Sequence, residues 1–149
     1  AKRLIAASFL NLPKVVEMLR GSRSVHLVCS GTDGQITAED VLLAGAIIDA
    51  CTVEYQVAIE DDESRMAQRF WSSCLPVSER SPWISVKNGN GKQLSYLLAK
   101  SFANTLGGAN LIKLGFEQDL QRCAQIGTQS AIGVRSQQNP TAFELLASD

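Results

Sequence analysis

Twelve residues, Cys29-Ser-Gly-Thr-Asp-Gly-Gln-Ile-Thr-Ala-Glu-Asp40, gather a glycine turn, several hydroxyls and three carboxylates. Such a set suits four kinds of chemistry: a calcium loop, a phosphate cradle, part of a hard-cation site, or the capped start of a helix. The calcium-loop register puts Cys29 and Gly31 at the first and third ligand positions, where side-chain oxygens are needed, and an apolar strand precedes it instead of a helix. That excludes an EF-hand. A glycine turn between strand and helix can present backbone N–H groups and a helix dipole to an anion. The Walker pattern G-x-x-x-x-G-K-[ST] is nevertheless missing. In "NGNGKQL" at 88–94, Val86 stands where its first glycine belongs.

Two readings of the motif remain open on the residues alone. Thr37-x-x-Asp40 fits a capping box, and acids in the first turn of a helix gain about 0.3–1 kcal/mol from its dipole. Mg²⁺ commonly needs only one or two carboxylates, with waters and a phosphate completing its shell, so Glu39, Asp40 and Asp33 also suit a hard-cation site. Elsewhere, Glu60-Asp-Asp-Glu63 reads as a solvated helix entry, Asp119 as a first-turn acid, and Ser8 and Asn11 as strand-end and cap residues.

The elements that must hold the motif follow from periodicity. Lys2–Phe9 reads as a short strand, and 11–21 as a helix with Asn11 as cap, Pro13 in the first turn and Gly21 at the stop. Ser24–Cys29 is a second apolar strand feeding the motif. The helix from Thr37 places Val41, Ala44, Gly45 and Ile48 at helical spacing, with small residues that permit close packing. Tyr55–Ile59 reads as strand or loop. A helix through Cys74 follows, with Met66, Phe70 and Cys74 as its expected core stripe and Ala67 and Trp71 beside it. Pro76 to Gly91 reads as a long loop, 93–102 and 117–126 as helices separated by glycine breaks at 107, 108 and 115, and 130–134 as a last strand. Strand, helix, strand, helix over the first fifty residues predicts a parallel α/β unit, in which ligands bind at the carboxyl ends of strands. The motif occupies that place.

The 149 residues fit one domain. The 45% apolar content and 19% charge match a globular chain, no apolar run approaches the roughly 20 residues of a membrane span, and a cytoplasmic location is expected. Fourteen basic and fifteen acidic residues, with no basic stripe, argue against nucleic-acid binding. Neither a membrane nor a nucleic acid is thus an expected partner, and a homo-oligomer is left open. The four cysteines form no C-x-x-C pair and read as buried, reduced thiols. His26, the single histidine, lies in a predicted strand, leaving little basis for histidine catalysis or zinc binding. The chain starts at Ala1 close to an apolar strand, and is expected to be a portion of a longer protein.

Taken together, "ASFLNLPKVVEML", "VHLVCSGTDGQITAEDVLLAGAIID" and "GGANLIKLGFEQDLQRCA" resemble the C-terminal half of the 2-phosphosulfolactate phosphatase family, over most of residues 4–126 and most specifically from Val25 to Asp49. The resemblance implies a three-layer α/β/α fold with a largely parallel or mixed sheet, over a single domain spanning 1–149. It also implies a Mg²⁺-dependent phosphatase that releases 3-sulfolactate and phosphate from 2-phospho-3-sulfolactate, as in coenzyme M biosynthesis. Its substrate would be a small phosphorylated sulfo- or hydroxy acid.

Carried over residue by residue, the resemblance implies that Gly31, Thr32 and Gly34 contact the substrate's phosphate, with Asn11 reaching the same crevice. It makes Glu39 and Asp40 metal contacts and Asp33 a weaker one, and assigns no catalytic nucleophile or acid. Two departures stand out: the family's Asp-Val-Phe-Arg-Ala-Ser-like and Thr-Thr-Asn-Gly-Thr-like segments do not occur here, and Gly127 stands where the family tends to place an acid. Two other readings stay open: a noncatalytic assembly or anion-binding module, and a phosphatase of the same fold acting on another phosphorylated hydroxy acid.

Overall fold

Helix α2, Ala38–Tyr55, runs through the middle of the molecule and is apolar on most of its sides. Leu42, Ala46, Ile47 and Ala50 are buried in one core, and Ala44, Gly45, Asp49 and Cys51 are buried as well, as expected of an interior helix. The chain enters it from extended Thr37 and leaves it at Gln56, whose φ of 55° turns the backbone out of the helix. The structure, a computed structural model, describes residues 3–74 and 81–146.

Helices α1, Leu12–Met18, α3, Asp62–Cys74, and α4, Pro82–Ser85, pack directly on α2. Helix α1 follows a 3-10 turn at Phe9–Asn11 and buries Leu12, Val15 and Val16. Helix α3 packs against α2 so closely that a Cβ on Gly45 would collide with the carbonyl oxygen of Ala67 and lie 2.7 Å from Cβ of Trp71. Trp71 is fully buried and stacks on Phe9 at 5.7 Å between ring centroids, and Phe102 meets Phe9 at the same distance. Phe102 belongs to helix α5, Gly91–Ala103, which follows the short helix α4 and a π-type turn over Val86–Asn90. Helices α6, Leu106–Lys113, and α7, Glu117–Cys123, complete the helical part.

The sheet is small. Strands β1, Ile5–Ala6, β2, Ile132–Arg135, and β3, Phe143–Leu146, form it in the order β1-β2-β3 with both pairings antiparallel. Among the described residues the protein is therefore α/β with a three-stranded antiparallel sheet, and the expected largely parallel or mixed sheet is not seen there.

Several sequence expectations are corrected. Ser24–Cys29 is not a strand: it belongs to no sheet among the described residues, because β-forming side chains make a strand only where another edge offers hydrogen bonds. On α3 the buried residues are Ala67 and Trp71, while Met66 is exposed; the close crossing at Gly45 selects that side. Residues 81–91 are largely helical instead of loop, with Ser81 capping α4 by accepting from the N–H of Trp83; residues 75–80, read as part of the same loop, lie outside the described residues. Gly107 and Gly108 sit inside α6 instead of breaking it, since Thr105 caps that helix through a 2.9 Å bond from the Gly108 N–H. Of the two readings left open for Tyr55–Ile59, residues 56–59 are loop, and Tyr55 closes α2. Cys51 is buried as expected, whereas Cys29 and Cys123 are exposed.

Candidate functional site

The motif folds as a two-residue hairpin turn set on the start of α2. Thr32 and Gln35 exchange backbone hydrogen bonds of 3.1 and 2.9 Å, and the two central residues, Asp33 and Gly34, have φ of 51° and 73°. Two successive positive φ values are the type I′ geometry that Asp-Gly favours. Gly31 is required for a further reason: its φ is 66°, and a Cβ there would strike the carbonyl oxygen of Gln35.

Asp40 ties this turn to α2. Its Oδ2 accepts from the Gly31 N–H at 2.7 Å and from the Ser30 hydroxyl at 3.3 Å. Thr37 holds the N-cap position but makes no side-chain capping bond, so the carboxylate that a capping box would use is given to the preceding loop. Beside it, burial first and the charge of Asp40 second raise the pKa of the Cys29 thiol, although Cys29 as a whole residue is exposed.

Glu39 faces a different neighbour. Its Oε1 lies 2.6 Å from where a Cβ on Gly107 would stand, in the first turn of α6. Its Oε2 is buried with no hydrogen-bond partner among the described residues. The positive end of the α6 dipole favours a carboxylate there, yet an orphaned buried oxygen ordinarily costs about 1–3 kcal/mol.

The remaining candidates are placed as follows. The N–H groups of Gly31 and Thr32 are engaged by Asp40 and Gln35. That of Gly34 has no backbone or side-chain acceptor among the described residues. Asp33 is exposed on the turn. Asn11 is buried, with Oδ1 accepting from the Ser8 N–H at 2.9 Å and Nδ2 donating to the carbonyls of Ala6 and Ala131, both at 3.3 Å. It joins the strand-end segments around β1 and β2, and no hydrogen bond among the described residues links it to the turn. Gly127, the position where an acid was expected, has φ of 71°, and a Cβ there would meet Cγ of Pro13 at 2.9 Å. The backbone therefore disfavours any side chain at that position.

No group of three or more His, Cys, Asp and Glu side chains converges among the described residues. The oxygens of Glu39 and Asp40 nevertheless have the chemistry Mg²⁺ prefers, and the partnerless Oε2 of Glu39 is the one best suited to a cation. The donors present fit a partial shell of one or two carboxylates.

Sequence reasoning passed over Asp49. It is buried in α2, and its Oδ2 accepts from the Ser81 hydroxyl at 2.7 Å, the Trp83 N–H at 3.0 Å and the Trp71 indole at 3.2 Å. An acid inside the apolar run "AGAIIDAC" was the signal, since a buried carboxylate demands donors from elsewhere in the fold.

Residues 1–138 match the family described as 2-phosphosulpholactate phosphatase. The chain is 34% identical over 125 residues to a probable 2-phosphosulfolactate phosphatase of Thermotoga petrophila, an alignment covering 83% of this chain and 44% of that protein. A protein of the same description from Pseudothermotoga lettingae is 33% identical over 135 residues, covering 90% and 49%. One from Deinococcus radiodurans is 26% identical over 138 residues, covering 89% and 47%. The chain spans about half the length of the curated relatives it matches.

Proposed function

The chain belongs to the 2-phosphosulpholactate phosphatase family, and from that premise we propose that it supplies one wall of a Mg²⁺-dependent phosphatase site. The reaction is hydrolysis of the phosphate ester of 2-phospho-3-sulfolactate to 3-sulfolactate and phosphate, a step of the coenzyme M biosynthesis type carried out in the cytoplasm. The full site sits in a three-layer α/β/α arrangement. The observation that carries this reading is the partnerless buried Oε2 of Glu39, one residue from the carboxylate that fixes the glycine turn.

Each residue has a definable task. Asp40 holds Gly31 and Ser30, so the turn is rigid before substrate arrives and little ordering cost falls on binding. The Gly34 N–H supplies a donor to a phosphoryl oxygen, in a glycine turn leading into the N-terminus of α2, a setting that favours anions. The Gly31 and Thr32 amides shape the turn through their internal bonds, and the exposed Thr32 hydroxyl is a further donor. Glu39, with Asp40 beside it in sequence and Asp33 on the turn, holds Mg²⁺. When bound, that ion neutralises phosphoryl charge and lowers the pKa of a coordinated water. Neither wall nor metal requires a histidine.

The test is phosphate release from 2-phospho-3-sulfolactate by the polypeptide that contains these residues, with and without Mg²⁺, with 2-phospholactate as a second substrate. We expect Mg²⁺-dependent release that falls at least a hundredfold in Glu39→Gln, with an unchanged circular-dichroism spectrum. Equal turnover in Glu39→Gln and wild type removes the metal assignment. Faster turnover of 2-phospholactate moves the protein to another hydroxy acid.

A further inference from the structure

Two glycines stand side by side in the first turn of α6, and their surroundings differ. A Cβ on Gly108 would collide with the carbonyl oxygen of Phe102, so that glycine lets the backbone of α6 approach the end of α5. Gly107 faces a side chain instead. The three atoms nearest to a Cβ at that position all belong to the Glu39 carboxyl group: Oε1 at 2.6 Å, Cδ at 3.4 Å and Oε2 at 3.8 Å. Its backbone is ordinary helix, outside the set of glycines with positive φ, and alanine is the better helix former.

Neither helix is free to give way at this contact. Thr105 holds the start of α6, its hydroxyl donating to the Phe102 carbonyl at 2.8 Å and accepting from the Gly108 N–H at 2.9 Å. Glu39 belongs to the first turn of α2, which Leu42, 1% exposed, anchors in the core. Only the Glu39 side chain can move, by changing rotamer. A methyl group at position 107 would therefore displace the carboxyl and leave both helices in place. Displacement would also bring Oε2, buried with no hydrogen-bond partner among the described residues, into water. The fold loses nothing by that exchange. Stability alone thus favours alanine at 107, and glycine there is explained by what it does for Glu39.

We propose that Gly107 is a positioning residue: by lacking a side chain it lets the Glu39 carboxyl lie against the first turn of α6, with Oε2 held inside and open to a cation. The positive end of the helix dipole favours a carboxylate at that place. The contact itself is geometric, and its consequence for Mg²⁺ rests on the proposed function. Gly107 acts through Glu39 and touches neither substrate nor ion.

The experiment compares Gly107→Ala, Gly108→Ala, Glu39→Gln and the double variant Gly107→Ala/Glu39→Gln in the polypeptide that contains these residues. Without metal, the carboxyl ¹³C resonance of Glu39, assigned by its loss in Glu39→Gln, should move in Gly107→Ala at neutral pH, while the melting temperature stays within about 2 °C of wild type. Gly108→Ala should melt lower, because its methyl meets backbone. Phosphate release from 2-phospho-3-sulfolactate should need at least about tenfold more Mg²⁺ in Gly107→Ala, with KM for the ester unchanged at saturating Mg²⁺. In the Glu39→Gln background the same substitution should change the residual rate by less than about twofold, since the carboxylate it would displace is already gone. A Glu39 resonance that stays in place overturns the proposal, as does an unchanged Mg²⁺ requirement in a Mg²⁺-dependent enzyme. Equal losses from Gly107→Ala with and without Glu39 overturn it too, because a purely structural glycine acts in either background. If wild type shows no Mg²⁺-dependent release, the metal reading fails while a moved resonance still upholds the placement of the carboxyl, so the two failures are told apart.

Discussion

Asp40 accepts a 2.7 Å hydrogen bond from the backbone N–H of Gly31, nine residues earlier. That bond gives the loop and the helix a fixed relation, and it explains why a first-turn acid does not cap its own helix. Removing the acceptor in Asp40→Ala should cost about 1.5–3 kcal/mol, the range for a hydrogen bond to a charged group. Asp40→Asn, which keeps an oxygen acceptor, should lose less than about 1 kcal/mol. Urea unfolding of both variants checks the order; equal losses would show that the bond contributes little.

Gly45→Ala sets helix propensity against packing. Alanine is favoured over glycine in a helix interior by about 1 kcal/mol, but the new methyl would collide with the Ala67 carbonyl and lie 2.7 Å from Trp71 Cβ. Overpacking against backbone costs about 3 kcal/mol, so a net loss of about 2 kcal/mol is expected. A thermal melt showing stabilisation would mean that α3 moves away from α2 at little cost.

Asp49→Ala leaves the Trp71 indole, the Ser81 hydroxyl and the Trp83 N–H without their shared acceptor. Breaking a buried network of this kind should cost about 3 kcal/mol or more. Tryptophan fluorescence should shift as well, since the buried Trp71 indole loses its acceptor. An unaltered spectrum and unfolding midpoint would contradict the network's structural role.

Glu54 provides a pH signature. Its pKa is lowered, first by the bond from Lys87 and then by that from the Trp83 indole, each 2.8 Å long. A carboxyl whose folded pKa lies below its unfolded value stabilises the fold above the unfolded value and loses that contribution as pH falls through the folded one. Wild type should therefore exceed Glu54→Gln by about 1 kcal/mol at neutral pH, a modest figure because the pair is open to solvent. The difference should close as pH drops below the ordinary 4.5. A difference constant from pH 7 to pH 3 would remove the assignment.

Helices α1, α2, α3, α5 and α7 were legible in the sequence because each carries its own hydrogen bonds and shows an apolar period or a cap. The turn at Asp33-Gly34 was legible for a similar reason, since the two positive φ values suit those residue types. Helix α6 was not, because its glycines argue against a helix and only the Thr105 cap and the contact with Glu39 reveal it. The stripe on α3 was partly right, since Phe70 and Cys74 pack on the core, but its centre is Ala67 and Trp71 while Met66 is exposed, the approach of Gly45 having chosen that side.

By itself the sequence determined the local conformations, the glycine turn at the head of α2 and, through its motifs, the family. Tertiary structure decided where the carboxylates went: Asp40 to the Gly31 amide, Glu39 to the first turn of α6, and Asp49 to the two tryptophans. It also decided that Ser24–Cys29 has no neighbouring strand among the described residues. The physical reason is common to both. A helix or tight turn closes its hydrogen bonds within a few residues, whereas a strand edge and a buried charge are satisfied only by partners that the fold brings from elsewhere.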